Sequence, residues 1–87
     1  MTTNETKYVV FVDTYGNWIP AVFPATVEHF EMVPRGCRVL SAGFCNMFEY
    51  NGKMDVKCFG ESTSLRVVAN PDRDRGVIRR FILGLRN

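Results

Sequence analysis

Apolar and polar positions along this chain change period several times, and each change marks an element. Lys7-Tyr-Val-Val-Phe-Val-Asp13 is β-branched and aromatic throughout, the pattern of a strand buried on both faces. Thr14-Tyr-Gly-Asn17 interrupts it with turn residues, and Trp18-Ile-Pro-Ala-Val-Phe23 resumes it, which predicts a first, looser hairpin. Pro20 cannot donate to a ladder, so the second of these strands belongs at a sheet edge or carries a bulge. Pro24 through Met32 suits a short helix. Proline is tolerated in a first turn, Val27, Phe30 and Met32 can point inward, and Glu28 and Glu31 face water. Pro34-Arg-Gly36 ends it.

The stretch from Arg38 to Ser62 is a second hairpin, and the rest of the chain is organised around it. Asn51-Gly52 lies between two β-rich runs, and a type I′ turn there needs φ > 0 at both residues. Counting outward pairs Tyr50 with Lys53, Glu49 with Met54, Met47 with Val56, Cys45 with Cys58 and Gly43 with Gly60. Side chains alternate between faces, so Cys45, Met47, Met54, Val56 and Cys58 share one nearly apolar face, the expected core. The other face carries Phe44, Asn46, Phe48, Asp55, Lys57 and Phe59, aromatics mixed with charges. A slip of one residue would exchange the two faces.

Beyond the hairpin, Leu65-Arg-Val-Val-Ala69 reads as a further short strand, and Asn70-Pro71-Asp72 as a helix start, with Asp72 and Asp74 opposing the positive end of the dipole. That helix is expected to run to about Leu83 or Leu85, with Val77, Ile78, Phe81, Ile82 and Leu85 on one apolar face. Gly76 weakens it by about 1 kcal/mol relative to alanine, a cost that close approach to the sheet would explain. The predicted fold is α+β: an antiparallel sheet of four or five strands in two hairpins with two helices, in the order ββ-α-ββ(β)-α.

Length and composition narrow the class. Eighty-seven residues, 46% of them hydrophobic, make one globular domain over 1–87, with residues 1–6 as a flexible tail. No apolar run approaches the ~20 residues of a membrane span, and the polar start has no signal-peptide pattern, so a cytoplasmic protein is expected. Charge is uneven. Residues 1–34 hold one basic against four acidic groups, net −3, and residues 35–87 hold ten against five, net +5. All eight arginines lie at or after Arg35. Cys37, Cys45 and Cys58 do not form a secreted disulfide framework. Cys45 and Cys58 nevertheless face each other as a non-hydrogen-bonded pair with α-carbons ~4.5 Å apart, a separation a disulfide can span. Reduced, buried thiols are the expectation in a reducing compartment.

Little in the chain has the pattern of catalysis. His29, the only histidine, has no serine or cysteine at motif spacing and is expected on the surface beside Glu28 and Glu31. No nucleotide loop, nucleophile elbow or paired metal-ligand motif is present, and His29, Cys37, Cys45 and Cys58 lack the short knuckle of a Cys₃His zinc site. Glu61 with Ser62 or Ser64 offers a base and a nucleophile, but adjacent strand residues point to opposite faces and Ser62 better serves a turn. No cofactor and no metal are expected.

Ser41-Ala-Gly-Phe44, Gly60-Glu-Ser-x-Ser-Leu65 and Pro71-x-x-Asp74 before an apolar helix, together with Phe23-Pro24 near His29, resemble small uncharacterised proteins of bacteria and prophages. The resemblance covers most of the chain in short motifs. It implies a bacterial or phage origin and carries no activity. The outer aromatic face of the hairpin sets the expected work: non-enzymatic protein binding, including self-association as a homodimer, through Phe44, Phe48, Phe59, Lys53 and Lys57. Pairing through an open strand edge is a further route. The alternative is single-stranded nucleic acid or DNA binding, with aromatics and lysines as a stacking platform and Arg73, Arg75, Arg79 and Arg80 on phosphates. A weaker alternative is a small catalytic domain at Glu61, Ser62 and Ser64. No membrane partner is expected.

Overall fold

The computed structural model describes residues 6–84. Strands β1 (Thr6–Val12), β2 (Trp18–Pro24), β3 (Arg38–Tyr50) and β4 (Lys53–Phe59) form one antiparallel sheet in the order β2-β1-β3-β4. A separate two-stranded sheet pairs β5 (Glu61–Ser62) with β6 (Val67–Val68), and one helix, α1 (Pro71–Phe81), follows. The α+β class and both hairpins are as read from the sequence. The proposed tail residues 1–5 lie outside the described residues, and Thr6 already pairs with both β2 and β3.

The central hairpin has the predicted register, from Tyr50↔Lys53 through Cys45↔Cys58 to Phe44↔Phe59. Asn51 (φ 53) and Gly52 (φ 77) supply the two positive φ angles that the turn demands. β1 is central because its residues are apolar on both sides, and Tyr8, Val9, Val10 and Phe11 are all buried. β2 takes one outer position, with Pro20 opposite Val10 on an edge where its missing N–H costs nothing. The β1–β3 register slips between Val10 and Phe11, leaving Leu40 without a partner on β1.

The sheet separates two apolar layers. Tyr8, Val10, Cys45, Val56 and Cys58 pack with Val77 and Ile78 of α1 on one side. Val9, Phe11, Phe23 and Ala42 form the other, covered by Val27, Met32, Val33 and Cys37 of the β2–β3 connection and by Leu65 and Val67.

Several expectations are corrected. Pro24–Met32 is not a helix: Pro24 still belongs to β2, and only His29–Met32 makes a single 3₁₀ turn. Within that turn His29 is buried and Phe30 exposed, the inverse of the predicted face. The strand read over Leu65–Ala69 shrinks to Val67–Val68. The helix ends at Phe81, earlier than expected; Phe81 and Ile82 are exposed, and Leu85 lies outside the described residues. Asn70 occupies the N-cap position without a side-chain capping bond. A Cβ built on Gly76 meets nothing within 4 Å, so close approach to the sheet does not explain that glycine. No helix of the described residues is long and apolar enough to cross a membrane.

Candidate interaction surface

Among the described residues β1 reaches only as far as Cys45 on β3, and β3 and β4 continue past it as a two-stranded ribbon to the Asn51-Gly52 turn. One face of this ribbon is core at its base, where Val56 and Cys58 are buried, but Met54, expected in the core, is exposed near the turn. The opposite face is divided. Near the sheet, Phe44 stacks on Phe59 (centroids 5.9 Å, planes 23° apart) and meets His29 edge-on at 6.1 Å; His29 in turn meets Phe23 edge-on at 5.6 Å. His29 Nε2 donates to the Gly43 carbonyl at 2.8 Å, since a carbonyl can only accept. Lys7 Nζ donates to the Val27 carbonyl at 3.0 Å and holds the same connection down. Phe44 is thus packed behind the connection and does not form part of a free surface.

From Phe59 outward to the tip the face is open. Phe59 is 36% exposed, Phe48 41% and Tyr50 66%, with Asn46, Lys53 and Lys57 exposed between them. Of the five residues expected to form the contact surface, Phe48, Phe59, Lys53 and Lys57 lie together there. Tyr50, which shares their face by alternation, is added to them.

Of the four arginines of α1 expected on phosphates, three are engaged. Arg75 donates from Nε and Nη2 to the two carboxylate oxygens of Asp55 at 3.0 and 2.6 Å, and Arg79 Nη1 lies 2.9 Å from Asp55 Oδ1. Those bonds, with the Val56 N–H donated to Oδ1 at 2.7 Å, hold the Asp55 carboxyl well below the usual carboxylate range and raise Arg75. Arg73 pairs with Asp74 at 3.3 Å and lies over the Trp18 ring, 5.4 Å from its centroid. Arg80 is exposed and makes no ion pair among the described residues.

Sequence reasoning missed the most polar point of the interior. Asp74 is fully buried and accepts from Tyr8 Oη (2.5 Å), Ser41 Oγ (2.7 Å), the Asn70 N–H (2.9 Å) and Arg73 Nε (3.3 Å). Burial, then the bond to Asp74, raise the Tyr8 hydroxyl far above its ordinary value, so it remains a donor. The signal available was Ser41, a hydroxyl on the core-facing parity of β3 that requires a buried acceptor. With all four donors satisfied, this cluster ties the helix start to the sheet.

The remaining chemical candidates do not converge. Ser62 is buried, its Oγ accepting the Leu65 N–H at 3.1 Å and lying 3.4 Å from Ser64 Oγ, while Glu61 is exposed. Ser62 thus supports the β5–β6 turn. Cys45 and Cys58 face each other as free thiols. Burial pushes Cys45 up to about 11, and burial with the neighbouring Cys45 and Asp74 pushes Cys58 up to about 12. Cys37 packs in the layer across the sheet from these two, so the four residues weighed for zinc are split between its faces. Compared with protein-family models, curated proteins and solved structures, the chain matches none.

Proposed function

We propose that this chain is a small non-enzymatic protein-binding module whose contact surface is the outer face of the β3–β4 ribbon: Phe48, Tyr50 and Phe59 with Lys53 and Lys57. One observation carries the reading. Three aromatic side chains stand exposed on one face of a ribbon whose other face packs into the core at its base, next to a stretch of the same face that the chain itself covers. Aromatic anchors rimmed by charge are the usual composition of a contact patch. Self-association through this face is its simplest form.

Nucleic-acid binding is the second reading, supported by the lysines that alternate with the rings. Against it, Arg73, Arg75 and Arg79 spend their charge on Asp74 and Asp55, so that of the cations proposed for phosphates Arg80, Lys53 and Lys57 remain unpaired among the described residues. Sedimentation velocity over a range of concentrations, for wild type and for Phe48→Asp, tests the choice. Self-association lost in a folded Phe48→Asp variant supports the protein-binding reading in its homodimeric form. Binding of an oligonucleotide that weakens steeply with salt, by a wild-type monomer, replaces it with the second.

A further inference from the structure

Among the described residues β4 is an outer strand of the sheet, and one side of its backbone has no described strand beside it. Residues flanking a two-residue turn form a hydrogen-bonded pair, and such pairs alternate along the ladder. Lys53, Asp55, Lys57 and Phe59 therefore turn their backbone groups toward β3, and Met54, Val56 and Cys58 turn theirs outward. The middle one of these outward groups is not open. The Val56 N–H donates to Asp55 Oδ1 at 2.7 Å, and the same carboxylate is gripped by Arg75 at 3.0 and 2.6 Å and by Arg79 at 2.9 Å. Two residues one helical turn apart on α1 thus hold an edge side chain against the edge backbone.

The edge closed in this way is complementary to itself. Antiparallel pairing of β4 with a second β4 about a two-fold axis at Val56 sets Lys57 of each copy opposite Asp55 of the other. Met54 then faces Cys58, and Val56 faces its own counterpart. That central pair exchanges its hydrogen bonds through the Val56 N–H, the donor that Asp55 now occupies. Lysine on an edge strand and a side chain folded over its backbone are both ways of keeping such an edge unpaired. We infer that the β4 edge is a strand-pairing surface for a second copy of this chain, held shut by the clasp of Asp55 with Arg75 and Arg79.

The test is made in the Phe48→Ser background, so that the aromatic face does not contribute and no second carboxylate is set opposite Asp55. Arg75→Gln with Arg79→Gln frees Asp55 while keeping it available to Lys57 of the other copy. The expected result is a dimer dissociation constant lower by about tenfold or more, about 1.4 kcal/mol, with slowed amide exchange at Met54 and Val56. Adding Lys57→Glu sets like charges across the axis and is expected to return the monomer. The charge exchange Asp55→Lys with Lys57→Glu removes the carboxylate from the clasp yet keeps opposite charges across the axis, and is expected to dimerise. If the arginine variant does not fold, the charge exchange decides alone. Folded monomers in the clasp variants, or a dimer indifferent to Lys57→Glu, overturn the inference.

Discussion

Asp74 gathers four donors from three parts of the chain, and two of them, Tyr8 and Ser41, have been taken out of water to reach it. Tyr8→Phe removes one donor and leaves an acceptor site on a buried carboxylate unfilled. A loss of about 1–3 kcal/mol is expected in urea unfolding. The same tyrosine gives the fold an alkaline limit. Its folded pKa is raised, so the unfolded chain releases the proton near 10 while the folded one retains it. Cys45 and Cys58 act in the same direction, from 9.0 unfolded to about 11 and about 12 folded. Their contributions are complete at neutral pH and fade as pH climbs past 9.0. Unfolding free energy measured against pH is expected to fall in the alkaline range, less steeply above 10 in Tyr8→Phe. The facing thiols were legible in the hairpin register, but the Asp74 cluster, hinted at only by Ser41, was not, because Tyr8 and Ser41 stand 66 and 33 positions from Asp74. The short motifs Ser41–Phe44 and Gly60–Leu65 acquire structural reasons here. Ser41 binds Asp74, Gly43 accepts from His29 and leaves no room for a Cβ, which would lie 2.5 Å from the Phe59 carbonyl, and Ser62 anchors a turn. They describe how the chain folds, which is why they suggested no chemistry.

Among the elements, those specified by adjacent residues were readable and those specified by distant ones were not. The hairpin register followed from Asn51-Gly52 because a two-residue turn fixes every pair beyond it. The first hairpin and the edge position of β2 followed from Thr14–Asn17 and Pro20 in the same way. The connection after β2 was misread because its apolar residues fit a helical face on paper. In the fold, His29 turns inward to reach the Gly43 carbonyl and the Phe23 and Phe44 rings, and Phe30 is left outside. Long-range contact outweighed a short run of helical spacing. In α1 the stripe is real only for its first half: Val77 and Ile78 are buried, while Phe81 is 58% exposed. Gly76 offers a simple check on the helix itself. It has a helical conformation and open space around it, so Gly76→Ala is expected to stabilise the protein by about 0.5–1 kcal/mol, seen as a higher thermal midpoint.

At the scale of the molecule, the sheet order decides which surfaces are free. β3 takes the middle of the sheet beside β1, and its far half leaves with β4 as the ribbon. The sequence placed the aromatic face opposite the core correctly, but could not show that the β2–β3 connection covers one end of it. That division separates two substitutions that look alike on paper. Phe44→Asp sets a carboxylate between His29 and Phe59 and is expected to destabilise the fold by about 3 kcal/mol or more. Phe48→Asp alters an open position, where the main cost is a second carboxylate opposite Asp55, and is expected to lower the unfolding free energy by only about 1 kcal/mol or less. Parallel urea titrations of the two variants map where the covered part ends. The positive charge of residues 35–87 is likewise less available than the composition suggests, because Asp55 and Asp74 each hold arginines of α1.

Trp18 is the only tryptophan in the chain, and Arg73 of α1 lies over its ring from across the fold. This gives the protein its own optical gauge. A guanidinium beside an indole alters its emission, and swinging the helix away removes that influence while β2 stays where it is. Fluorescence excited at the tryptophan band therefore reports the docking of α1, whereas far-ultraviolet circular dichroism reports the strands as well. A chain that loses its helix before its sheet will show the two signals parting along the same denaturation curve.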